Sequence, residues 1–252
     1  MKKSILAFLI LMIGRACYAA DHTQIESLVQ RLQSGDDALC VSCLDELARL
    51  DTIPTELHAP LIAALVDPRT PKTQKGAALR LYFSVQAQDL VRRIGAPAAS
   101  LLRAPLMNQQ TRWQAISVLE GLGKDAVCAL PEIIVSLKDK NEHVRYFAAK
   151  TIIHIGPDAS PAVDALIPLI DDKSESAQEY AIKALGAIGP KASKALDALR
   201  KKRDYQNPLA EGYVQEAIAL ITEPNKALVP TATAVTPAAD APVAPAAAAA
   251  HL

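Results

Sequence analysis

The chain has 252 residues, with 27 Lys and Arg balanced by 27 Asp and Glu, and half of its residues are hydrophobic although only 4% are aromatic. That length suggests one or two domains. The even charge gives no reason to expect nucleic acid, and an aliphatic, aromatic-poor composition favours helices over sheets.

Lys2 and Lys3 open the chain, an apolar run from Ile5 to Ile13 follows, and the small residues of ACYAA close the segment. The run is too short to cross a bilayer, so residues 1–19 read as a secretory signal peptide. Cleavage after Ala19 puts small residues, Cys17 and Ala19, at positions −3 and −1. Lipidation at Cys17 is the alternative, with Arg15 standing where such signals favour a small or apolar residue. Export to the periplasm or medium is expected. Removing Lys2, Lys3 and Arg15 leaves 24 of the 27 basic residues and a net charge of −3.

Cleavage after Ala19 also exposes Ala20-Asp21-His22. A free amine, two backbone nitrogens and the His22 imidazole can form a square-planar Cu(II) or Ni(II) site. An uncommitted chain start is the plainer reading.

Residues 22–50 suit an N-terminal helix pair. Within them Cys40 and Cys43 form a Cys-x-x-Cys pair, which in an exported chain can be a disulfide, a redox pair or half of a metal site. Asp36 and Asp37 can cap the helix start, a setting that lowers a nearby thiol pKa. The same residues have a structural reading. Cys40, Cys43, Leu44 and Leu47 fall at i, i+3, i+4 and i+7, the spacing of a core stripe. No second Cys pair supports zinc and no His follows Cys43 to support haem.

From residue 108 onward the chain repeats every 33 residues. Leu119, Ile152, Leu185 and Ile218 form one column, and Leu122, Ile155, Ile188 and Ile221 another. Gly123, Gly156 and Gly189 align, as do Ala129, Ala162 and Ala195. Asn108, Asn141, Ser174 and Asn207 form a capping column, each able to bond the orphan N–H groups of a helix start. Apolar residues at helical spacing follow each cap, and the glycine closes that helix in a left-handed turn. One unit is therefore two antiparallel helices. Such a pair buries its apolar face only against the next copy, which makes a solenoid.

The stretch LKDKNEHVRYFAAKTIIHIG, residues 137–156, resembles the short HEAT-like repeat of the phycobilisome-lyase type through Asp139, Val144, Arg145, Ala148, Ala149, Ile152, Ile155 and Gly156. The next copy keeps Asp172, Ala181, Leu185, Ile188 and Gly189 but has Gln178 in place of the Arg. The resemblance implies an all-α, right-handed α-solenoid of about five to six antiparallel helix pairs over residues 20–222, regular over 108–222 and irregular over 20–107. It brings no catalytic residue with it, so no enzyme activity and no cofactor are expected. Upstream, residues 60–82 fit with one inserted residue, Leu61, Ile62 and Leu65 matching Ile133, Ile134 and Leu137, and Ala77-Ala78 matching Ala148-Ala149. The spacing from Gly95 to Asn108 is five residues shorter than that from Gly123 to Asn141, which predicts an irregular joint.

Trp113, Tyr146, Phe147, Tyr180 and Tyr213 fall in two adjacent columns early in the second helices. In HEAT-like solenoids those helices usually line the concave side, so the resemblance makes Trp113, Tyr146, Tyr180 and Tyr213, with Arg112 and Arg145 beside them, candidate contacts for a protein partner. Packing between repeats is the structural alternative, strongest for Phe147, and in this repeat pattern Asp139 and Arg145 more often brace loops. His58, His143 and His154 are too scattered to share a metal. The basic run RKKR at 200–203 is explained by solvation and the helix dipole, with an anionic partner or membrane surface as the lesser reading, and Arg200 and Arg203 replace the apolar Ile167 and Ile170 of the preceding unit, as a terminal repeat requires. Residues 223–252, rich in Pro, Ala and Thr, read as a disordered tail. The composite expectation is an exported scaffold that binds other proteins. The alternative is a thiol- or metal-handling accessory protein using Cys40, Cys43 or His22.

Overall fold

The computed structural model describes residues 22–68, 87–202 and 208–223, with the side chains of Asp45 and residues 208–210 excepted. The signal segment, Ala77-Ala78, Arg203, Asn207 and the tail from Pro224 onward lie outside the described residues. Those that are described are helical or in turns, with no strand among them. The architecture is an all-α solenoid.

The 33-residue period becomes a row of second helices, Arg112–Glu120, Glu142–Ile155, Glu175–Ile188 and Pro208–Thr222, each packed against the next. Their seams are the columns of the sequence. Leu119, Ile152 and Leu185 have no exposed surface at all, and Leu122, Ile155, Ile188 and Ile221 are buried. Ile218 is only partly covered, because no further repeat follows among the described residues. A single core cluster runs from Leu28 to Ile221.

The caps act as their residue types require. Asn141 Oδ1 accepts from the His143 N–H at 2.9 Å, and Ser174 Oγ from the Ala177 N–H at 3.5 Å. Asn108 Oδ1 accepts from the Gln110 N–H at 3.0 Å, and its carbonyl accepts from the Arg112 N–H at 2.9 Å, so its helix starts through a preliminary turn.

The glycine ends differ in detail from expectation. Gly95, Gly156 and Gly189 have φ of 69°, 73° and 70°, but ψ of −138°, −137° and −143°. That is the mirror of the β region rather than the left-handed helical one, and it is equally reserved for glycine. The chain thereby turns sharply into the next unit.

The first halves of the repeats are not plain α-helices. Each begins with a 3₁₀ turn, over Gly123–Ala129, Gly156–Ala162 and Gly189–Ala195. A 3₁₀ winding eclipses side chains at i and i+3, and the eclipsed pairs here are Ala126 and Ala129, Ala159 and Ala162, Ala192 and Ala195, all fully buried. Small residues in line let this backbone sit directly on its neighbour. In the middle unit Pro161 and Pro168 also remove N–H donors that a continuous α-helix needs.

The shortened spacing after Gly95 is met by one continuous α-helix, Ala96–Met107, in place of the 3₁₀ and α segments of the regular units. At the N-terminus His22–Gln33 pairs with a helix broken at Cys43 into Asp37–Ser42 and Leu44–Arg49. Arg31 clamps the two limbs through both carboxylate oxygens of Glu46, each at 2.9 Å.

Candidate functional site

The four second helices bring the aromatic residues into one ladder. Trp113 meets Phe147 edge-on at 6.2 Å between ring centroids, Phe147 meets Tyr146 at 4.7 Å, and Tyr146 meets Tyr180 at 4.7 Å and 85°. Edge-to-face pairs match the positive rim of one ring to the negative face of the next. Two lysines stitch the ladder further. Lys150 Nζ stands 5.9 and 6.0 Å from the rings of Tyr146 and Tyr180, and Lys183 Nζ stands 5.2 and 3.9 Å from those of Tyr180 and Tyr213. These are cation–π distances, so Tyr213 joins the ladder through Lys183.

Both lysines carry carboxylate partners. Lys150 lies 3.8 Å from Glu120, which also meets His154 Nε2 at 3.0 Å, and Lys183 pairs with Glu179 one turn earlier on its own helix. Burial pulls the Lys183 ammonium down, but Glu179 outweighs it and holds the pKa above its ordinary value. Burial, aided by the neighbouring Tyr146, raises that of the Tyr180 phenol. Trp113 is 39% exposed, whereas Phe147, Tyr180 and Tyr213 are half-buried against the core. Sequence reasoning missed Lys183, Glu120 and Glu179. Lys183 was within reach, because it stands 33 residues after Lys150.

Arg112 and Arg145 lie beside the ladder but spend their donors inside the scaffold. Arg145 gives Nε and Nη2 to the two oxygens of Asp172 at 2.7 and 2.6 Å, and Nη1 to the carbonyls of Asp139 and Lys140. Arg112 makes the corresponding link through one nitrogen, Nη1 to Asp139 Oδ2, and gives Nε and Nη2 to the carbonyls of Leu106 and Met107. Each pair joins a second helix to the turn 27 residues later. At the Gln178 position the amide donates to the Asp172 carbonyl instead.

Cys40 and Cys43 are buried free thiols. The Cys43 sulfur faces the Leu39 carbonyl at 3.2 Å, and that of Cys40 the carbonyls of Arg31 and Leu32. The lowering of a nearby thiol pKa expected at a capped helix start is reversed. Asp36 does cap the helix, accepting from the Ala38 N–H at 2.8 Å, but burial pushes the Cys43 thiol up to about 11. His22 is exposed at the start of its helix, 3.5 Å from Glu26, while Ala20 and Asp21, the other members of its candidate metal motif, lie outside the described residues. No group of three or more His, Cys, Asp or Glu among the described residues is placed to hold a metal.

A repeating helical scaffold with a side-chain ladder is an all-α repeat solenoid, and comparison with known proteins agrees at that level of fold. The HEAT repeat family model matches residues 129–159. Among solved structures the chain is similar to a designed armadillo repeat protein in complex with a (KR)4 peptide, with a TM-score of 0.54 and 20% identity over 77% of this chain and 98% of the other. A computationally designed armadillo repeat protein for modular peptide recognition gives a TM-score of 0.52 and 20% identity over the same shares. An engineered protein from a structural genomics programme gives 0.50 and 18% identity over 78% of this chain and 96% of that one. At these identities the likeness is one of fold. No curated protein matches the sequence significantly. Among the described residues no helix is long and apolar enough to cross a membrane.

Proposed function

We propose that this protein is an exported HEAT-like scaffold that holds a protein partner on the face carrying the aromatic ladder, the face such solenoids usually turn inward. The supporting observation is the continuity of the ladder across four successive helices, from Trp113 to Tyr213, with a lysine between the later rungs. Packing alone needs no exposed indole at the end of such a row, and Trp and Tyr are the residues that most often carry binding energy at interfaces. Proteins of this fold designed for peptide recognition support the reading at the level of fold. In this reading Arg112 and Arg145 set the spacing of the rungs, and binding proceeds without covalent chemistry.

The test is crosslinking of the protein in its cell, followed by mass spectrometry. The double variant Trp113→Ala/Tyr146→Ala is expected to lose crosslinks to a partner and keep the helical circular-dichroism spectrum. Crosslinks retained at full strength in the variant place the partner elsewhere, and lost helicity assigns the rings to the core.

A further inference from the structure

The turns that lead into the second helices form one edge of the solenoid, next to the start of the aromatic ladder, with Arg145 reaching it from the residue before Tyr146. A groove of about 570 Å³ opens there between the turn around Lys138–Arg145 and that around Pro168–Lys173. Its apolar lining is the exposed Pro168 with the edges of the buried Leu137, Ala165 and Leu169, and its polar lining is Lys138, Lys140, Arg145, Asp171, Asp172 and Lys173.

The charges of this lining do not cancel. Asp172 is committed to Arg145. Lys202 reaches in from the next turn to Asp171, at 2.7 Å. Lys138, Lys140 and Lys173 remain exposed, and no ion pair among the described residues holds them. Exposed Arg200 and Lys201 extend the same edge. The helices Glu142–Ile155 and Glu175–Ile188 both begin here, so their positive dipole ends add to the field, partly offset by Glu142 and Glu175 in the first turns. The chain's even total charge is therefore unevenly distributed, with surplus ammonium groups gathered around this groove.

We propose that this groove docks an extended acidic peptide segment of a protein partner. Three uncommitted ammonium groups in the lining select carboxylates, and the exposed Pro168 offers an apolar contact between them. An extended strand turns alternate residues to the same side, roughly 6.6–6.8 Å apart, so alternate acidic side chains can reach the lysines of the lining. A concave groove fits a chain better than the flat surface of a bilayer. The proposal does not depend on the reading of the aromatic ladder.

The experiment is fluorescence anisotropy of the chain beginning at Ala20 with a labelled peptide alternating Glu and Ala, and with its Gln-for-Glu counterpart. The Glu peptide is expected to bind, the Gln peptide not, and binding is expected to weaken as salt screens the charges. Lys138→Glu/Lys140→Glu/Lys173→Glu should weaken it at least about tenfold, with Lys173→Gln giving a smaller loss if the triple variant fails to fold. Lys124→Glu/Lys191→Glu, on the glycine-turn edge, should leave it unchanged, as should Trp113→Ala/Tyr146→Ala, so that the two readings fail separately. Absent binding, equal binding of the Gln peptide, equal loss in the Lys124/Lys191 variant, or preference for vesicles of anionic lipid over the peptide overturns the proposal.

Discussion

Arg145 donates to both carboxylate oxygens of Asp172, 27 residues further along the chain, at 2.7 and 2.6 Å. The bond is made across the joint between two repeats, and it recurs one unit earlier as Arg112 to Asp139. Side-chain exposure is 14% for Arg145 and 9% for Asp172, low enough for the pair to act as a brace rather than a solvated surface contact. Removing one partner leaves a poorly solvated charge behind. Arg145→Ala is therefore expected to destabilise the fold by about 3 kcal/mol, measured by urea denaturation. A loss under about 0.5 kcal/mol, as at an ordinary surface site, would contradict the brace.

The same pairs set an acid limit. Burial pushes the Asp139 and Asp172 carboxyls up, but hydrogen bonds outweigh it, from the Asn141 N–H and Arg112 on Asp139 and from Arg145 and the Ser174 N–H on Asp172. Both are held below the ordinary aspartate value. A carboxyl with a lower pKa folded than unfolded stabilises the fold above its unfolded pKa, and that stability is lost as pH falls through the folded value. The melting temperature should therefore decline below about pH 4, and Asp172→Asn should make that decline shallower.

Ile152 sits in the column shared by adjacent repeats, with no exposed surface. Ile152→Ala is expected to cost roughly 2–4 kcal/mol through lost burial and a cavity, read from the shift of the denaturation midpoint.

Gly186 marks a close approach between two second helices. A Cβ there would stand 3.1 Å from Ala217 Cα and 3.3 Å from Ala217 Cβ. Gly186→Val forces branched bulk into that contact and is expected to destabilise by about 1–3 kcal/mol. The loss should appear first as faster amide exchange in Pro208–Thr222, because each repeat leans only on its neighbours.

Thiol chemistry separates the scaffold reading from the accessory-protein alternative. Cys43 is buried, with its thiol pushed up to about 11, whereas Cys128 is exposed. In the chain beginning at Ala20, alkylation at pH 8 is expected to label Cys128 first, and Cys40 and Cys43 only on unfolding. Rapid native labelling of Cys43 would favour the alternative.

Much of the architecture was legible in the sequence because a solenoid writes its core as a period. A residue facing the same neighbour in every unit must be apolar in every unit, so Leu119, Ile152 and Leu185 announce one seam, and all three are fully buried. Cap and glycine columns mark helix ends for equally local reasons: a side chain bonds a backbone N–H two or three residues away, and only glycine takes a positive φ without strain.

What tertiary structure decided is what happens between columns. Sequence placed Trp113, Tyr146, Phe147, Tyr180 and Tyr213 in register, but the angles of the ring contacts and the insertion of Lys150 and Lys183 depend on how neighbouring helices cross. Sequence set Arg112 and Arg145 beside the ladder, and only the fold carries them to Asp139 and Asp172 of the following turn. It left Cys40 and Cys43 open between a reactive pair and a core stripe, and the fold buries both, which favours the stripe because a thiolate far from water is costly. Side-chain type and spacing are properties of the chain. Burial, charge pairing and the company each group keeps are properties of the packed whole.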